Sequence, residues 1–520
     1  MSRGAPIRVA LCHCSRARLS IARSQHEDNR HERIIYMSAH STNEMSIKPD
    51  ASNVNLSNNT EWWTPRLAWP VIAAAAVRFT LLAVLIVRNG ISAVKDLDTY
   101  SFLEPGRNLL LHGRFVADGV PDLFRTPGYP IFLAITCLAG LPAAAVANVI
   151  LSVFSVILIW KLGRAVFDDN RIALGAAWIF AFEPIGVIYS ILLMSEALFL
   201  TLFLISMERL AMFLRGHKLP VLAVAGLWLA AATFVRPVTY YLPVALALGL
   251  FLVMVRVPGL RWKAPALLLV SVLPWFAAWQ IRNWIETGYS GFSSVTEVNL
   301  YFFVAADVKA RMEHRPLRDV RIELGFPGGL DYGEQAYLYE PYLALHPEQT
   351  RWNQAQRLAF MRSDALHSIG SHYGIYLRSC IESLSRVVFE LGVGELHHRL
   401  IPESIRENLS LSSVSAHGGI LRSISDPWVL AERAVFSVTL LGLYLFAARG
   451  AIHGDMHNTC LWMLFGISLY FLVITGLTGG GGGYPRYRLP IMPIVCIFAS
   501  AGFQRTKKIA QLVGRRELLP

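Results

Sequence analysis

Carboxylate side chains beside or within long apolar segments are the first residues of this chain that could carry out chemistry. Asp96 and Asp98 come directly after an apolar segment, and Glu196 lies inside another one. A carboxylate in such a place could act as a general base toward a hydroxyl or an amine. For Asp96 and Asp98 the alternatives are an ordinary loop acid and a helix N-cap. A buried Glu196 needs a cation, a metal ion or its own proton as a partner.

Arginines at the ends of apolar segments are the second set of candidates. Arg125 opens the stretch Arg125–Pro130, which contains Tyr129 and in which two prolines and a glycine fix the path of the chain. The planar guanidinium suits a lipid phosphate, and a side chain that only reaches for the membrane interface is the alternative. That alternative does not explain why charges of both signs collect at one depth of the membrane. The other candidates are Arg236, Arg282, Asn283, Arg486 and Arg488.

The composition sets the environment of these residues. Of the 520 residues, 54% are hydrophobic and 16% are charged, whereas soluble domains carry about 25% charge. The apolar residues come in blocks of roughly 18 to 20, enough for a helix to cross about 30 Å of hydrocarbon. Most blocks lack the polar stripe of a soluble helix. The net charge of +12 is scattered over short loops, which indicates membrane orientation and not nucleic-acid binding.

The sequence therefore predicts an all-α integral membrane protein with about ten transmembrane helices. An outer juxtamembrane first loop and a mixed helical outer section late in the chain complete the predicted fold. The stretch 127–141 is predicted to be a short interfacial or re-entrant helix. The predicted spans are 67–87, 142–160, 172–189, 191–207, 219–235, 239–255, 265–284, 429–447, 459–476 and 489–503.

Loop cations predict the orientation. With these spans, the cationic loops lie on the same side as both termini, which the positive-inside rule makes cytoplasmic. The candidate residues then gather on the extracytoplasmic face of the cell inner (plasma) membrane. The chain is predicted to begin with a disordered cytoplasmic tail at 1–60, in which Met37 and Met45 are alternative starts, so that residues 1–44 are in question. An N-terminal transmembrane catalytic module follows at 61–284, with its first outer loop at 88–126. The remaining predicted parts are an extracytoplasmic section with amphipathic helices at 285–428, C-terminal transmembrane helices at 429–503 and a cytoplasmic basic tail at 504–520.

Several short motifs, taken in order, make the chain resemble the GT-C superfamily of membrane glycosyltransferases. The resemblance is to the protein-mannosyltransferase and aminoarabinose-transferase branch, and it covers Leu67–Phe503 in layout. In one respect the chain departs from the pattern, because Thr99 follows Asp98 where many relatives carry a second acid. The motifs are Asp98–Phe115 with Arg125–Pro130, Ser195–Phe199, Arg236-Pro237, Pro274-Trp275 with Arg282–Trp284, and Arg486–Pro493.

The resemblance implies an enzyme that moves a hexose or pentose from a polyprenyl-phosphate donor by inverting displacement, outside the cytoplasm. It implies that Asp98 is the catalytic carboxylate, with Asp96 the weaker candidate. Glu196 matches an acidic position that helps hold a metal or a substrate hydroxyl. Asp98 and Glu196 are thus the candidate ligands of a divalent metal, the one cofactor considered. Cationic positions suited to the donor phosphate are matched by Arg125, Arg282 and Arg486.

Other functions stay open at this point. A lipid-linked-sugar flippase or transporter would contain internal repeats and broken helices near the membrane midplane, and no repeat is visible. An O-antigen polymerase or ligase shares the outer loop and the arginines but does not need Asp98. A non-catalytic scaffold leaves the collected charges unexplained. The sugar, the acceptor (lipid, glycan or protein), the metal requirement and the oligomeric state are left undetermined.

Overall fold

A computed structural model describes residues 64–257, 259–326, 335–391, 400, 427–455, 457–478 and 484–516. The predicted tail at 1–60 and the glycine run at 479–483 lie outside these residues. Helices make up nearly all of the regular structure in the described ranges. They are α1 (Ala68–Asn89), α2 (Leu97–His112), α3 (Gly128–Cys137), α4 (Leu141–Phe167), α5 (Asn170–Ala181), α6 (Pro184–Ile188), α7 (Glu196–Gly216), α8 (Leu219–Val235), α9 (Leu242–Val253), α10 (Lys263–Thr287), α11 (Val295–Asn299), α12 (Ala306–Met312), α13 (Leu317–Glu323), α14 (Glu340–Leu345), α15 (Gln354–Ser371), α16 (Tyr373–Phe389), α17 (Pro427–Ile452), α18 (Thr459–Thr478) and α19 (Met492–Arg516).

Short elements connect these helices. One antiparallel hairpin joins β1 (Val116–Ala117) to β2 (Val120–Pro121). Its turn is Asp118-Gly119, and both residues have the positive φ, 50° and 76°, that a tight hairpin turn requires. The 3-10 helices are Pro65–Leu67, Ile91–Val94, Pro237–Thr239, Met254–Arg256, Ala336–Leu338, Pro347–Arg351 and Pro485–Arg488, and Leu300–Ala305 is a π-helix.

The apolar helices confirm the predicted fold class, an all-α integral membrane protein. Within the described residues, six helical segments are long and apolar enough to cross a membrane. Shorter apolar helices add to them at Gly128–Cys137, Leu219–Val235 and Pro237–Val253. The number of ten spans stays a prediction. The six are Pro65–Asn89, Leu141–Phe167, Glu196–Gly216, Lys263–Thr287, Ala434–Ile452 and Thr459–Thr478.

The predicted spans at 172–189 and 191–207 are wrong in their bounds. Helix α5 ends at Ala181, and α7 begins only at Glu196. Pro184 explains the break, because proline disfavours a helical conformation in the residue before it and has no N–H to donate. The irregular backbone between α6 and α7 is hydrogen-bonded from outside: Leu193 N–H donates to Val94 O (2.8 Å), and Asn148 Nδ2 donates to Leu192 O (2.6 Å).

A buried arginine in α1 satisfies the end of α5. Arg78 has no exposed surface. Its guanidinium donates to Ala181 O at 2.8 Å and to Ser152 Oγ at 2.9 Å. The last carbonyls of a helix have no partner within the helix, so Arg78 provides one. Sequence reasoning missed this residue, although an arginine in the middle of an apolar helix is a signal in itself.

The section 285–391 builds a small core of its own on the first loop. Leu358, Met361 and Ala365, one face of α15, pack with Tyr301 and Phe302. This section also bonds to the hairpin, since Gln354 Nε2 donates to Pro121 O (3.2 Å) and Tyr339 Oη donates to Asp118 Oδ2 (2.6 Å). Helices α15 and α16 lie within the section 285–428, for which amphipathic helices are predicted.

Candidate active site

Asp98 lies in the first turn of α2 and not in an open loop. Asp96 is the N-cap of this helix: Asp98 N–H donates to Asp96 Oδ1 (3.5 Å), and Asp96 N–H donates to Thr99 Oγ1 (2.8 Å). This reciprocal pair is a capping box. The carboxylate of Asp96 therefore caps the start of the helix, and that of Asp98, two residues later, is available for other partners.

Two arginines from distant parts of the chain hold Asp98. Arg125 Nη2 lies 3.2 Å from Oδ1, and Arg486 Nη1 lies 3.3 Å from Oδ2. Burial alone would raise the pKa of the Asp98 carboxyl, but the guanidiniums of Arg125, Arg486 and Arg236 outweigh burial and hold that pKa below its usual range. Asp98 is therefore ionised at neutral pH.

Helix α2 also positions Arg125. Ser101 and Phe102 lie three and four residues after Asp98, on the same face of the helix. Arg125 donates to Ser101 Oγ from Nε (3.0 Å) and from Nη2 (2.7 Å), and its guanidinium lies 3.9 Å from the centre of the Phe102 ring. One helix face thus presents the carboxylate and fixes the cation that pairs with it.

Asp122 holds the backbone of the same arginine. Its Oδ1 accepts hydrogen bonds from Phe124 N–H (2.7 Å) and Arg125 N–H (3.1 Å). Burial raises the pKa of Asp122 to about 6, although the two N–H donors and the nearby Arg125 and Arg282 lower it. Sequence reasoning missed Asp122, because a loop aspartate three residues before an arginine carries no pattern of its own.

Glu196 and Arg236 form a second ion pair. Glu196 is the first residue of α7 and is 2% exposed, and its Oε1 lies 2.5 Å from Arg236 Nη1. A carboxylate at a helix N-terminus is favoured by the helix dipole. Despite the short distance, neither Glu196 oxygen accepts a hydrogen bond of ordinary geometry from the described residues. Glu196 therefore keeps acceptor capacity in a buried place.

The glycine of the Arg125–Pro130 motif brings the two ion pairs together. A Cβ at Gly128 would lie 2.7 Å from Phe234 O, close to the end of α8. Only glycine allows the start of α3 to approach that backbone so closely. Arg236 directly follows α8, so this approach places it near the turn that carries Arg125. Glu196, Arg236 and Arg486 then share one cavity, together with Phe199, Thr475 and Tyr487.

We call Asp98, Arg125, Glu196, Arg236 and Arg486 the charge cluster. The other predicted residues lie around it, and their polar groups bind backbone. Arg282 donates to Asp122 O (3.1 Å) and Phe115 O (2.7 Å), and Asn283 Nδ2 donates to Gly291 O (2.9 Å). Arg488 Nη1 donates to Val387 O (3.3 Å) and to Glu390 O, at the end of α16.

Tyr129 lies beside the charge cluster and packs against the helix that carries Asp98. It is fully buried in α3, its hydroxyl accepts from Asn148 Nδ2 (3.2 Å), and its ring packs edge-on against Phe102 at 4.9 Å. We call Asp122, Tyr129, Arg282, Asn283 and Arg488 the supporting set. The structure thus divides the predicted site residues between charge pairs and contacts that hold the surrounding backbone.

The donor set fits a divalent metal poorly. Of the two candidate ligands, Asp98 is paired with two arginines and Glu196 with one. Within the part of the chain that the structure describes, no group of three or more His, Cys, Asp or Glu side chains could hold a metal ion. A cation would have to compete with guanidiniums that already neutralise both carboxylates. The arrangement instead suits an anion that can displace a carboxylate from its arginines.

One family model matches a segment of the chain that contains part of this site. Residues 127–281 match the family model of the dolichyl-phosphate-mannose-protein mannosyltransferases. The matched segment contains Tyr129, Glu196 and Arg236, and it does not contain Asp98 or Arg486. No curated protein matches the chain.

Solved structures of two proteins match the chain at low identity. The apo oligosaccharyltransferase of Archaeoglobus fulgidus matches with a TM-score of 0.44 and 12% identity, over 88% of this chain and 52% of that chain. The chain thus spans about half the length of that protein. ArnT from Cupriavidus metallidurans matches in the apo state with a TM-score of 0.35 and 14% identity, over 81% of this chain and 78% of that chain. The form of ArnT bound to undecaprenyl phosphate matches with a TM-score of 0.33 and 13% identity, over 84% of this chain and 78% of that chain. At these scores and identities, the structures carry no argument about activity. The match of residues 127–281 to the mannosyltransferase model confirms the resemblance of this chain to the GT-C membrane glycosyltransferases.

Proposed function

We propose that this chain is a membrane glycosyltransferase that moves a sugar from a polyprenyl-phosphate donor to an acceptor on the extracytoplasmic side, with Asp98 as the catalytic carboxylate. One observation carries the proposal: each oxygen of Asp98 has its own arginine, and one of them, Arg486, also lines the cavity of Glu196 and Arg236. A carboxylate and an anion-binding cavity are thereby joined through a single guanidinium. The matched family model supports the reaction class.

The charges of the cluster support a phosphodiester as the donor. Three guanidiniums face two carboxylates in the described site, which leaves one positive charge in excess. A sugar linked through one phosphate to a polyprenol is a phosphodiester with a single negative charge, and it would neutralise that excess. A diphosphate-linked sugar carries two negative charges and would overcompensate it. Guanidinium forks bind phosphate oxygens in a bidentate manner, which adds orientation to the charge match.

In this proposal donor binding activates Asp98. While Arg125 and Arg486 hold the carboxylate, its lowered pKa makes it a weak base. A donor phosphate that binds these arginines separates them from Asp98 and removes the interaction that lowers its pKa. Asp98 then becomes a stronger base when a donor is in place.

In the proposed displacement, residues of the charge cluster take up the proton and stabilise the leaving group. The acceptor hydroxyl forms a bond to the anomeric carbon from the face opposite the phosphate, and its proton passes to Asp98. The bond between the anomeric carbon and the phosphate oxygen breaks, and its electron pair leaves with the polyprenyl phosphate. Arg125 and Arg486 stabilise the negative charge that develops on that phosphate. The configuration at the anomeric carbon is inverted.

Glu196 has a separate place in the proposal. It is buried, lines the cavity and has unused acceptor capacity beside Arg236. Its Oε2 has no hydrogen-bond donor among the described residues, and a buried acceptor without a donor is costly. Sugar hydroxyls are donors of the required kind, so we assign Glu196 to bind the transferred sugar.

Transfer assays with a matched pair of aspartate variants test the proposal. Proteoliposomes that contain wild-type protein, Asp98→Asn or Asp96→Asn are incubated with radiolabelled polyprenyl-phosphate hexoses and pentoses and with extracted lipid, glycan and protein acceptors. Loss of the base should lower turnover by about 10²–10⁴-fold in Asp98→Asn. Asp96→Asn should retain most of the turnover, because asparagine caps a helix as well as aspartate does.

Two outcomes would contradict the proposal. Wild-type protein that transfers no sugar from any of these donors is not the proposed enzyme. If the wild-type protein transfers sugar and Asp98→Asn keeps its turnover, the enzyme class stands and the role of Asp98 is wrong. Movement of the labelled donor across the bilayer without transfer would favour the flippase alternative.

A further inference from the structure

Asp122 is a buried carboxylate that the proposed reaction does not use. It is 1% exposed, and it lies in the loop between the hairpin and α3. Besides Phe124 N–H and Arg125 N–H, its Oδ1 accepts from Gln335 Nε2 at 3.2 Å. One carboxylate oxygen thus connects the turn that carries Arg125 to a residue 213 positions later in the chain.

Three further contacts of this turn come from the same part of the chain. Ser294 N–H donates to Leu123 O (2.8 Å), and Ser293 Oγ donates to Phe124 O (2.7 Å). Arg282 Nη1 donates to Asp122 O at 3.1 Å. All three donors lie in α10 or in the section that follows it, as Gln335 does. Later segments of the chain therefore bind three backbone carbonyls of the turn 122–125, whereas the Arg125 side chain bonds to Ser101 in α2.

From this geometry we infer that Asp122 is a positioning residue: it sets the Arg125 guanidinium against Asp98 and makes that placement depend on Gln335 in the section 285–391. The effect on turnover rests on the proposed function, whereas the placement of Arg125 does not. The section 285–391 thereby reaches a phosphate-binding arginine through one hydrogen-bonded carboxylate.

The acceptor oxygen of Asp122, and not its charge, performs this task. Both N–H groups and Gln335 need an oxygen that accepts hydrogen bonds, and asparagine supplies one with the same shape. Alanine leaves three buried donors without a partner, and the turn must move to satisfy them. Burial has already raised the pKa of Asp122 to about 6, so loss of its charge is a mild change.

Three variants, Asp122→Asn, Asp122→Ala and Gln335→Leu, test the inference in the full-length protein in nanodiscs. The first readout is turnover with a polyprenyl-phosphate sugar. The second is the rate at which phenylglyoxal modifies Arg125, followed by peptide mass spectrometry with Arg486 in the same sample as the reference. This second readout needs no activity and reports how firmly the guanidinium is held.

The size of the effect expected for each variant follows from the number of hydrogen bonds that it loses. Asp122→Ala should lower turnover about tenfold and speed the modification of Arg125 by about the same factor, relative to Arg486. Gln335→Leu removes one donor and should give about a threefold change in both. Asp122→Asn should restore both readouts to near wild-type values.

Each contrary result is decisive. The inference is overturned if Arg125 is modified at the same rate in wild type and Asp122→Ala, or if Asp122→Asn behaves like Asp122→Ala. If Asp122→Ala does not fold, Gln335→Leu decides, and an unchanged rate at Arg125 overturns the inference. If the wild-type protein transfers no sugar, the proposed function fails, and the modification rates still decide the role of Asp122.

Discussion

Asp98, which is partly buried, and Asp122, which is buried, are two carboxylates that contact one arginine, and their surroundings differ in kind. Asp98 faces the side chains of Arg125 and Arg486, which hold its pKa below the usual range. Asp122 faces backbone N–H groups, and burial raises its pKa to about 6. The first is kept charged by side-chain guanidiniums, for which an anionic ligand can compete. The second is tied to backbone that no ligand replaces.

Two arginines of the 3-10 helix Pro485–Arg488 also differ in whether they bind a carboxylate or backbone. Arg486 pairs with Asp98, whereas Arg488 donates to the carbonyls of Val387 and Glu390 at the end of α16. Residue type and position beside a span are the same for both. What differs is whether the partner is a carboxylate or the backbone, so Arg486 should govern turnover and Arg488 should govern stability.

The largest expected effect compares Arg486→Gln with Arg488→Gln. Loss of Arg486 removes a cation that stabilises the leaving phosphate and should lower turnover by about 10²–10³-fold. Loss of Arg488 removes a donor from the carbonyl of the buried Val387, which should cost about 1–3 kcal/mol of stability. Turnover per folded molecule and the apparent melting temperature are measured for both. The comparison breaks down if Arg488→Gln loses turnover while it keeps its melting temperature.

The second prediction concerns the pH dependence of stability. The folded pKa of Asp122 is about 6, above the ordinary 3.8. A raised pKa contributes stability that is fully present below the unfolded pKa and is lost as the pH rises through the folded one. From pH 4 to pH 7, wild type should therefore lose up to about 3 kcal/mol relative to Asp122→Asn, which cannot titrate. Melting temperatures across this range measure the difference.

Asp98→Asn is the matched control for that titration. Because the pKa of Asp98 is lowered, its contribution is lost only as the pH falls below the ordinary carboxyl range. The difference in melting temperature between wild type and Asp98→Asn should thus stay flat from pH 5 to pH 8. A slope there that equals the slope for Asp122→Asn would remove the contrast between the two carboxylates.

A smaller effect is expected for the ion pair of Glu196 and Arg236. A double-mutant cycle with Glu196→Gln, Arg236→Gln and the double variant should give a coupling energy of about 1–3 kcal/mol in stability. Each single variant leaves one buried charge unpaired, and the double variant leaves none. Additive effects would show that the 2.5 Å contact carries no coupling.

The smallest expected effect is that of a chelator. Both candidate metal ligands are paired with arginines, and the proposed reaction has no step on a metal ion. Incubation with EDTA followed by gel filtration should leave turnover unchanged. Turnover that falls with EDTA and returns with a divalent cation would show that a carboxylate of the charge cluster leaves its arginine to bind metal.

Local chemistry is sufficient to predict much of this protein. Apolar blocks of spanning length are helices because lipid offers no partner for backbone groups, and α1, α8 and α18 lie close to their predicted bounds. The same reasoning fails between α5 and α7. There the hydrophobicity continues through Pro184, and the break becomes visible only through the backbone contacts of Leu193 and Leu192 with other segments.

The sequence by itself determined the membrane class and a set of charged candidates for the site: Asp98, Arg125, Glu196, Arg236, Arg282, Arg486 and Arg488. It did so because ionisable groups are costly beside lipid and therefore stand out. Only the tertiary structure decided which arginines pair with carboxylates, since Arg486 and Asp98 are 388 positions apart. It alone identified Asp122 and Arg78, because partners separated by most of a chain leave no local pattern.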